Sequence, residues 1–472
     1  GGLPLIGHGL ALFRKPPGTD FLRWVSEVQN DGLIHFRGFF NRDRLLVTNS
    51  KALAEILVAK SYDFEKPKQV RSFLRRILGD GLIIVESDEH KFQRKHIMPV
   101  FSFRHIKELY PMMWQKSVLL CESVAAELAN GADDGKGFEI NHWSNKVTMD
   151  IIGIAGLGRD FNALRNSDDE LIQNYEEILE PTTEKVIFFA CQILGPQRLI
   201  DRLPWAVNKR MRICTSALSK ICKELVVQKR QAVKANADQN LDILSVLIKS
   251  NNFADEQLVD QMLTFLAAGH ETTSSAFTWA THLLAIHPEI QKRLREEIQE
   301  KLPSNPGSEV DLAGLLEGLP LLNGICNETL RLYPTVPITI RDTIRDTTLV
   351  GQPIPKGTQI LLSPWAINRS PHLWGDEAQV FKPERWINPE TGGPSKTGGA
   401  TSNYDQLTFL HGPRSCIGQG FAMAELRCLV AAFVGAFELE MARPNEPVIP
   451  AGVVTTKPAS GMWLKLKTLK AW

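Results

Sequence analysis

A chain of 472 residues, 43% hydrophobic and 23% charged, can bury a large core and has the balance of an ordinary globular protein. A net charge of +1 argues against nucleic-acid binding as its main activity. Seven cysteines without a C-x-x-C pair do not read as a disulfide framework and point to a reducing compartment. No apolar run reaches the roughly 18 residues that cross a bilayer; the longest, Cys428 to Phe437, is too short.

In chain order, residues 1–60 mix short β-like runs (Leu33 to Phe36, Leu45 to Val47) with a helical piece over Lys51–Leu57. From Asp80 a basic helix follows, carrying His90, Lys91, Arg94, Lys95 and then Arg104. Residues 105–250 read as mostly amphipathic helices. The cluster Val186-Ile187-Phe188-Phe189, followed by arginines and Trp205, reads as core packing.

A long helix is expected from Asp255, taken as its N-cap, to His287, where Pro288 stops it and opens the next helix. At roughly 32 residues it must run through the core, being far longer than the usual ~11–12. Its middle, Ala267 to Ser275, is small and polar, and its hydroxyls compete for backbone carbonyls. Close helix packing explains Gly269 alone. It does not explain Glu271 beside Thr272, because burying an acid and an alcohol is costly unless they have partners or a task.

Farther on, Glu328 and Arg331 lie one turn apart on a helix face, followed by Arg341 and Arg385-Trp386. Gly392 to Asn403 is a Gly/Ser/Thr-rich loop with no legible function. Phe409-Leu410-His411-Gly412-Pro413-Arg414-Ser415-Cys416-Ile417-Gly418 then sets one cysteine between glycines, immediately before an apolar helical pattern. Such glycines permit unusual backbone and a close approach to a flat ligand. A helix starting just after Cys416 turns free N–H groups toward the sulfur and favours thiolate. A lone thiolate suits an axial haem ligand better than zinc or an iron–sulfur cluster. The tail, Val453 to Leu464, reads as a closing β-hairpin.

The loop matches F-x-x-G-x-R-x-C-x-G at every fixed position and resembles the haem-binding loop of the cytochrome P-450 superfamily, the haem-thiolate monooxygenases. Ala268-Gly269-His270-Glu271-Thr272 resembles the family's oxygen-activation groove, Met149–Phe161 one of its buried helices, and Glu328, Arg331 and Arg385 its buried charge triad. The style of the motifs is that of eukaryotic microsomal members, fungal ones most of all.

This resemblance implies a mainly α fold with small β-sheets, residues 1–472 forming one domain with haem b between the long helix and the cysteine loop. Gly2-Leu3-Pro4-Leu5-Ile6-Gly7-His8 resembles the proline- and glycine-rich hinge after a membrane anchor, so an anchor is expected to precede the chain. Cys416 would ligate the iron and Phe409 shield the sulfur; Gly418, Ala268 and Gly269 would approach the haem. Arg414, Arg341, Arg94 and His90 would hold its propionates, His90 standing where the family carries tryptophan. Thr272 and Glu271 would relay protons to bound dioxygen.

Phe73, Leu74, Phe188, Thr264, Val336, Ile338 and Val454 would line an apolar pocket for a lipophilic molecule. Residues 184–205 would be its lid, dipping into the bilayer surface. The resemblance further implies an NADPH-dependent reductase partner docking on the basic helix, a monomer, and the cytoplasmic face of the endoplasmic reticulum. Two alternatives remain open: a family member that does not use dioxygen, which would typically lose Glu271 or Thr272, and a non-enzymatic haem-binding protein.

Overall fold

The computed structural model describes residues 2–131, 137–165, 170–179, 182–235, 242–303, 310–452 and 454–469; Val453, the expected start of the closing hairpin, lies outside them. Two compact units emerge, one of Gly1–Glu65, Tyr110–Ser144 and Thr272–Trp472, the other of Lys66–Leu109 and Asn145–Glu271. Helices dominate both, and the sheets are small and belong to the first.

In the first unit, strands Leu33–Arg37, Asp43–Val47, Gln359–Leu362, Thr339–Thr343 and Phe64–Glu65 form a five-stranded sheet in that order. Asp43–Val47 pairs in parallel with Gln359–Leu362, and the other pairings are antiparallel. Leu33–Arg37 alternates its burial along the strand, as a sheet with one packed face requires. Beneath it pack Phe21, Val25, Phe36, Leu46 and Leu361, with Ile338 against this core. The helix Gln419–Ala436 follows the cysteine loop. By length and hydropathy it passes as a membrane span, which corrects the expectation that no segment would; 72% of it is buried, so it is spent on the protein core.

The second unit is built of helices, among them Lys68–Leu78, Ser87–Ile97, Thr183–Leu194 and Ala206–Lys234. Phe188 is buried at 2% exposure, with its ring against Phe73 and Trp205. Tyr175 donates from its hydroxyl to the Leu263 carbonyl at 3.1 Å. The long helix Asp255–Ile286 is continuous over 32 residues, and the division between the units falls within it, after Glu271.

Three local readings are corrected. Asp255 is the first helical residue, not the cap: Ala254 occupies the cap position, its carbonyl accepting from Leu258 N–H and its own N–H donating to the Gln257 side chain at 3.0 Å. Asp255 instead meets Arg230 at 2.5 Å. Phe161 falls outside the buried helix, which ends in a widened turn at Gly153–Leu157. The tail hairpin is Pro450–Ala451 against Lys457–Pro458, while Leu464 sits in a separate strand, Trp463–Thr468, paired with Phe437–Met441.

Gly269 has a packing reason. A Cβ there would come within 2.7 Å of the Ile152 side chain, so the glycine sets how closely two helices of the second unit approach. Gly269→Val should therefore lower the denaturant midpoint, by about 1–3 kcal/mol of overpacking. Adding Ile152→Ala should recover part of that loss. An unchanged midpoint in the single variant would show that the contact can relax at no cost.

Candidate functional site

The cysteine loop begins where two buried polar residues hand their hydrogen bonds to it. Glu328 and Arg331 lie on the helix Pro320–Leu332, and both side chains are fully buried. Arg331 donates twice to the carboxylate, Nε to Oε2 and Nη2 to Oε1, each at 2.8 Å. Arg385 Nε and the Lys382 backbone N–H each donate to Oε1 at 3.0 Å, and the Trp386 indole N–H donates to Oε2 at 2.9 Å. A carboxylate this deep is tolerable because five donors replace its water shell. Trp386 therefore contributes more than the aromatic exchange it looks like in sequence, since phenylalanine in that place would donate nothing.

Arg331 also reaches away from the acid. Its Nη1 donates to the carbonyls of Asn368 at 2.7 Å and Ala378 at 2.6 Å. Asn368 in turn grips the chain ahead of the loop: its Oδ1 accepts from Leu407 N–H at 2.7 Å, and its Nδ2 donates to Thr408 Oγ1 at 2.9 Å. Thr408 closes the circuit by donating to the Leu330 carbonyl at 2.7 Å. Sequence reasoning missed Asn368, because a single asparagine in a turn carries no signal of a partner about forty positions away.

Within the loop, Cys416 N–H donates to the Phe409 carbonyl at 2.8 Å, closing the turn. Gly412 takes φ +74°, and a Cβ there would meet the Leu57 carbonyl at 2.1 Å, so this glycine is required. Gly418 is not required in that way: at φ −86° it caps the helix Gln419–Ala436 in a conformation open to other residues. Arg414 Nη1 donates to the Phe64 carbonyl at 2.8 Å, with its guanidinium over the Tyr62 ring. Arg341, buried on the strand Thr339–Thr343, donates from Nη1 to Thr339 Oγ1 and to the Ile340 carbonyl. Each guanidinium is a planar, permanently charged donor group of the kind that suits a carboxylate.

The cysteines separate by burial. Burial pushes the Cys326 and Cys222 thiols up to about 12 and raises Cys121 and Cys428 further, so these four stay protonated and inert. Cys416 is the one exposed cysteine. Glu425, on the same helix, is fully buried, and burial raises its carboxyl well above the usual range, with the Thr273 hydroxyl the opposing influence. An apolar helical surround disguises it in sequence.

The remaining expected site residues fall in known places. In the second unit, His90 and Arg94 share a face of the helix Ser87–Ile97, with His90 buried. Phe73 is buried, its ring against Phe188 and Phe189, and Leu74 is half-buried beside it in sequence. Thr264 is buried and donates its hydroxyl to the Leu78 carbonyl at 3.1 Å, so it is a structural tie before it is a pocket group. Ala268 is half-buried, and Gly269 carries the Ile152 contact. Glu271 is buried and Thr272 half-buried. In the first unit Val336 is half-buried, Ile338 backs onto the sheet core, and Val454 stands 46% exposed.

One exposed thiol on a braced turn, opening a helix in a mainly helical chain, is the layout of a haem-thiolate protein. The chain belongs to the cytochrome P-450 family, whose pattern matches residues 2–464. It is 41% identical to the cytochrome P-450 monooxygenase sphH of Aspergillus fumigatus, over 99% of this chain and 87% of that relative. It is 38% identical to the cytochrome P-450 monooxygenase ptmK of Penicillium ochrochloron (98% and 91% covered) and to buaD of Petromyces alliaceus (97% and 88%). It is a cytochrome P-450 monooxygenase, and the family implies haem, dioxygen, a redox partner and a lipophilic substrate. The donor set fits that cofactor: a soft ligand on a tight turn, with two guanidinium groups in the same unit.

Removing Glu328 should be severe, because Glu328→Ala leaves Arg331 charged, buried and without its acid. A loss of about 3–5 kcal/mol is expected, together with failure to retain haem. Trp386→Phe removes one donor of the five and should cost only about 1 kcal/mol. Denaturant midpoints and haem content per chain test both; equal effects of the two changes would contradict this ranking.

Proposed function

We propose that the chain forms one haem domain in which Cys416 ligates haem b. In this reading it inserts one oxygen atom of dioxygen into a lipophilic small molecule, with electrons from an NADPH-dependent reductase. The observation that carries this reading is the exposure of Cys416, the one exposed cysteine, on a turn tied by Asn368 to a buried carboxylate network. The thiolate-bound haem supplies the oxygen chemistry. Around it, Arg414, Arg341, Arg94 and His90 hold the propionates, Phe409 keeps water from the sulfur, and the helix starting at Gln419 stabilises the thiolate charge. Glu271 carries a proton inward, and the Thr272 hydroxyl holds the water that receives it.

The apolar character of Phe73, Leu74, Phe188, Val336 and Ile338 favours a lipophilic substrate of secondary or lipid metabolism. Ile187, Leu199, Leu203 and Ile213 are exposed at 50–61%, among exposed Arg198, Arg202 and Arg212. Exposed apolar side chains interspersed along the sequence with cations are the composition of a bilayer-contacting segment. This supports a lid that rests on the cytoplasmic face of the endoplasmic reticulum membrane. The basic helix Ser87–Ile97, with Lys91, Arg94 and Lys95, is the surface proposed for the reductase.

The reduced carbon-monoxide complex should show the red-shifted thiolate band, and Cys416→Ala should abolish it; a retained band would refute the ligand assignment. Thr272→Ala should keep that band and substrate binding while lowering product formed per NADPH. The compound used is one that shifts the haem from low to high spin. Unchanged coupling would mean that protons arrive by a route without Thr272.

A further inference from the structure

Gln192 lies on the helix Thr183–Leu194, one turn beyond Phe188, so the two side chains share a face. That face is turned inward, and Gln192 is fully buried. Its amide orientation is fixed by a neighbour. Gln192 Nε2 donates to Asp201 Oδ1 at 2.8 Å, and a carboxylate only accepts, so the nitrogen must be the atom turned toward it. The oxygen then points elsewhere. Oε1 is buried, and no donor meets it among the described residues.

The rest of the residue is held in place. The other oxygen of Asp201 pairs with Arg76 on the helix Lys68–Leu78. Gln197 Nε2 donates to the Gln69 carbonyl at 2.9 Å and to the Gln192 carbonyl at 3.0 Å. Phe73, one turn before Arg76, sets its ring against Phe188 and Phe189. Two polar ties and one aromatic contact thus join the two helices, and Gln192 takes part in both polar ties. Buried polar atoms are nearly always hydrogen-bonded, and an unmatched acceptor is costly. Methionine or leucine would fill this volume without that cost, so the amide calls for a task.

We propose that Gln192 determines specificity: its Oε1 accepts a hydrogen bond from a hydroxyl carried by an otherwise lipophilic substrate. This rests on the reading of Phe73 and Phe188 as pocket wall. An apolar wall holds a lipophilic body but leaves its orientation loose, whereas one directed acceptor fixes it. A site built to pair with a hydroxyl also rejects the analogue that lacks it, because its own polar atom is then left unpaired.

The test uses lipophilic alcohols, terpenoid and long-chain, each paired with its methyl ether. Both are titrated into the holoenzyme, and the low- to high-spin shift of the haem gives each Kd. The parent should bind the alcohols roughly tenfold more tightly than the ethers. In Gln192→Met, which keeps the volume and removes the acceptor, that ratio should fall to about one while ether affinity is kept. Gln192→Leu serves if the methionine variant does not load haem. Arg76→Ala loosens the tie between the helices but leaves the acceptor, so it should keep the preference for alcohols. An equal ratio in the parent and the Gln192 variants overturns the proposal. So does a parent without preference, as a water held at Oε1 would give, or one that shifts with the ethers alone. The pocket reading fails separately: unchanged affinities for both probes in Phe188→Ala sink the apolar wall whatever Gln192 does.

Discussion

The carboxylate of Glu328 is the constraint on which the rest of the cysteine loop depends. It is fully buried, and a buried charge without partners would cost more than the fold can spare. The chain answers with donors from three places, the helix Pro320–Leu332, the backbone at Lys382, and the turn Pro383–Trp386. Because each donor must arrive at a set distance, segments distant in sequence are fixed relative to one another. Arg331 passes that order to Asn368, and Asn368 passes it to Leu407 and Thr408, immediately before Phe409. A catalytic turn needs its ligand held in place before the cofactor arrives, and this network supplies that through hydrogen bonds rather than apolar packing.

Aromatic and glycine packing complete the frame. Arg331 and Arg385 both lie over the ring of Trp374, whose indole N–H donates to the Asp405 carbonyl. Gly412 lets the loop backbone pass against Leu57 where any side chain would collide. The loop is thus pinned ahead of the cysteine, while the cysteine itself stays exposed.

Much of this was legible in the sequence, and what was not follows a pattern. The strands near Leu33 and Leu45, the long helix with its stop at Pro288, and the tight cysteine turn all follow from local periodicity and turn chemistry. Glu328 and Arg331 stood out because their spacing puts them on one helix face. Asn368 and the indole donor of Trp386 did not, since a hydrogen bond between distant segments leaves no local trace. Asp255 looked like a cap by residue type, yet the backbone placed it one position inside the helix, with Arg230 as its partner. Gly418 looked required by its motif and adopts ordinary backbone. Thr264 and Ile338, chosen as pocket positions, also carry structural contacts that the sequence did not show.

Hydrogen exchange in Asn368→Ala tests most directly whether the buried acid holds the cysteine turn. The substitution leaves Glu328 with all five of its donors and cuts only the link to Leu407 and Thr408. Amides from Leu407 to Gly418, that of Cys416 included, should then exchange faster, while those of Pro320–Leu332 keep their protection. Unchanged protection across the loop would contradict the account, and would mean that the turn holds its shape without the carboxylate behind it.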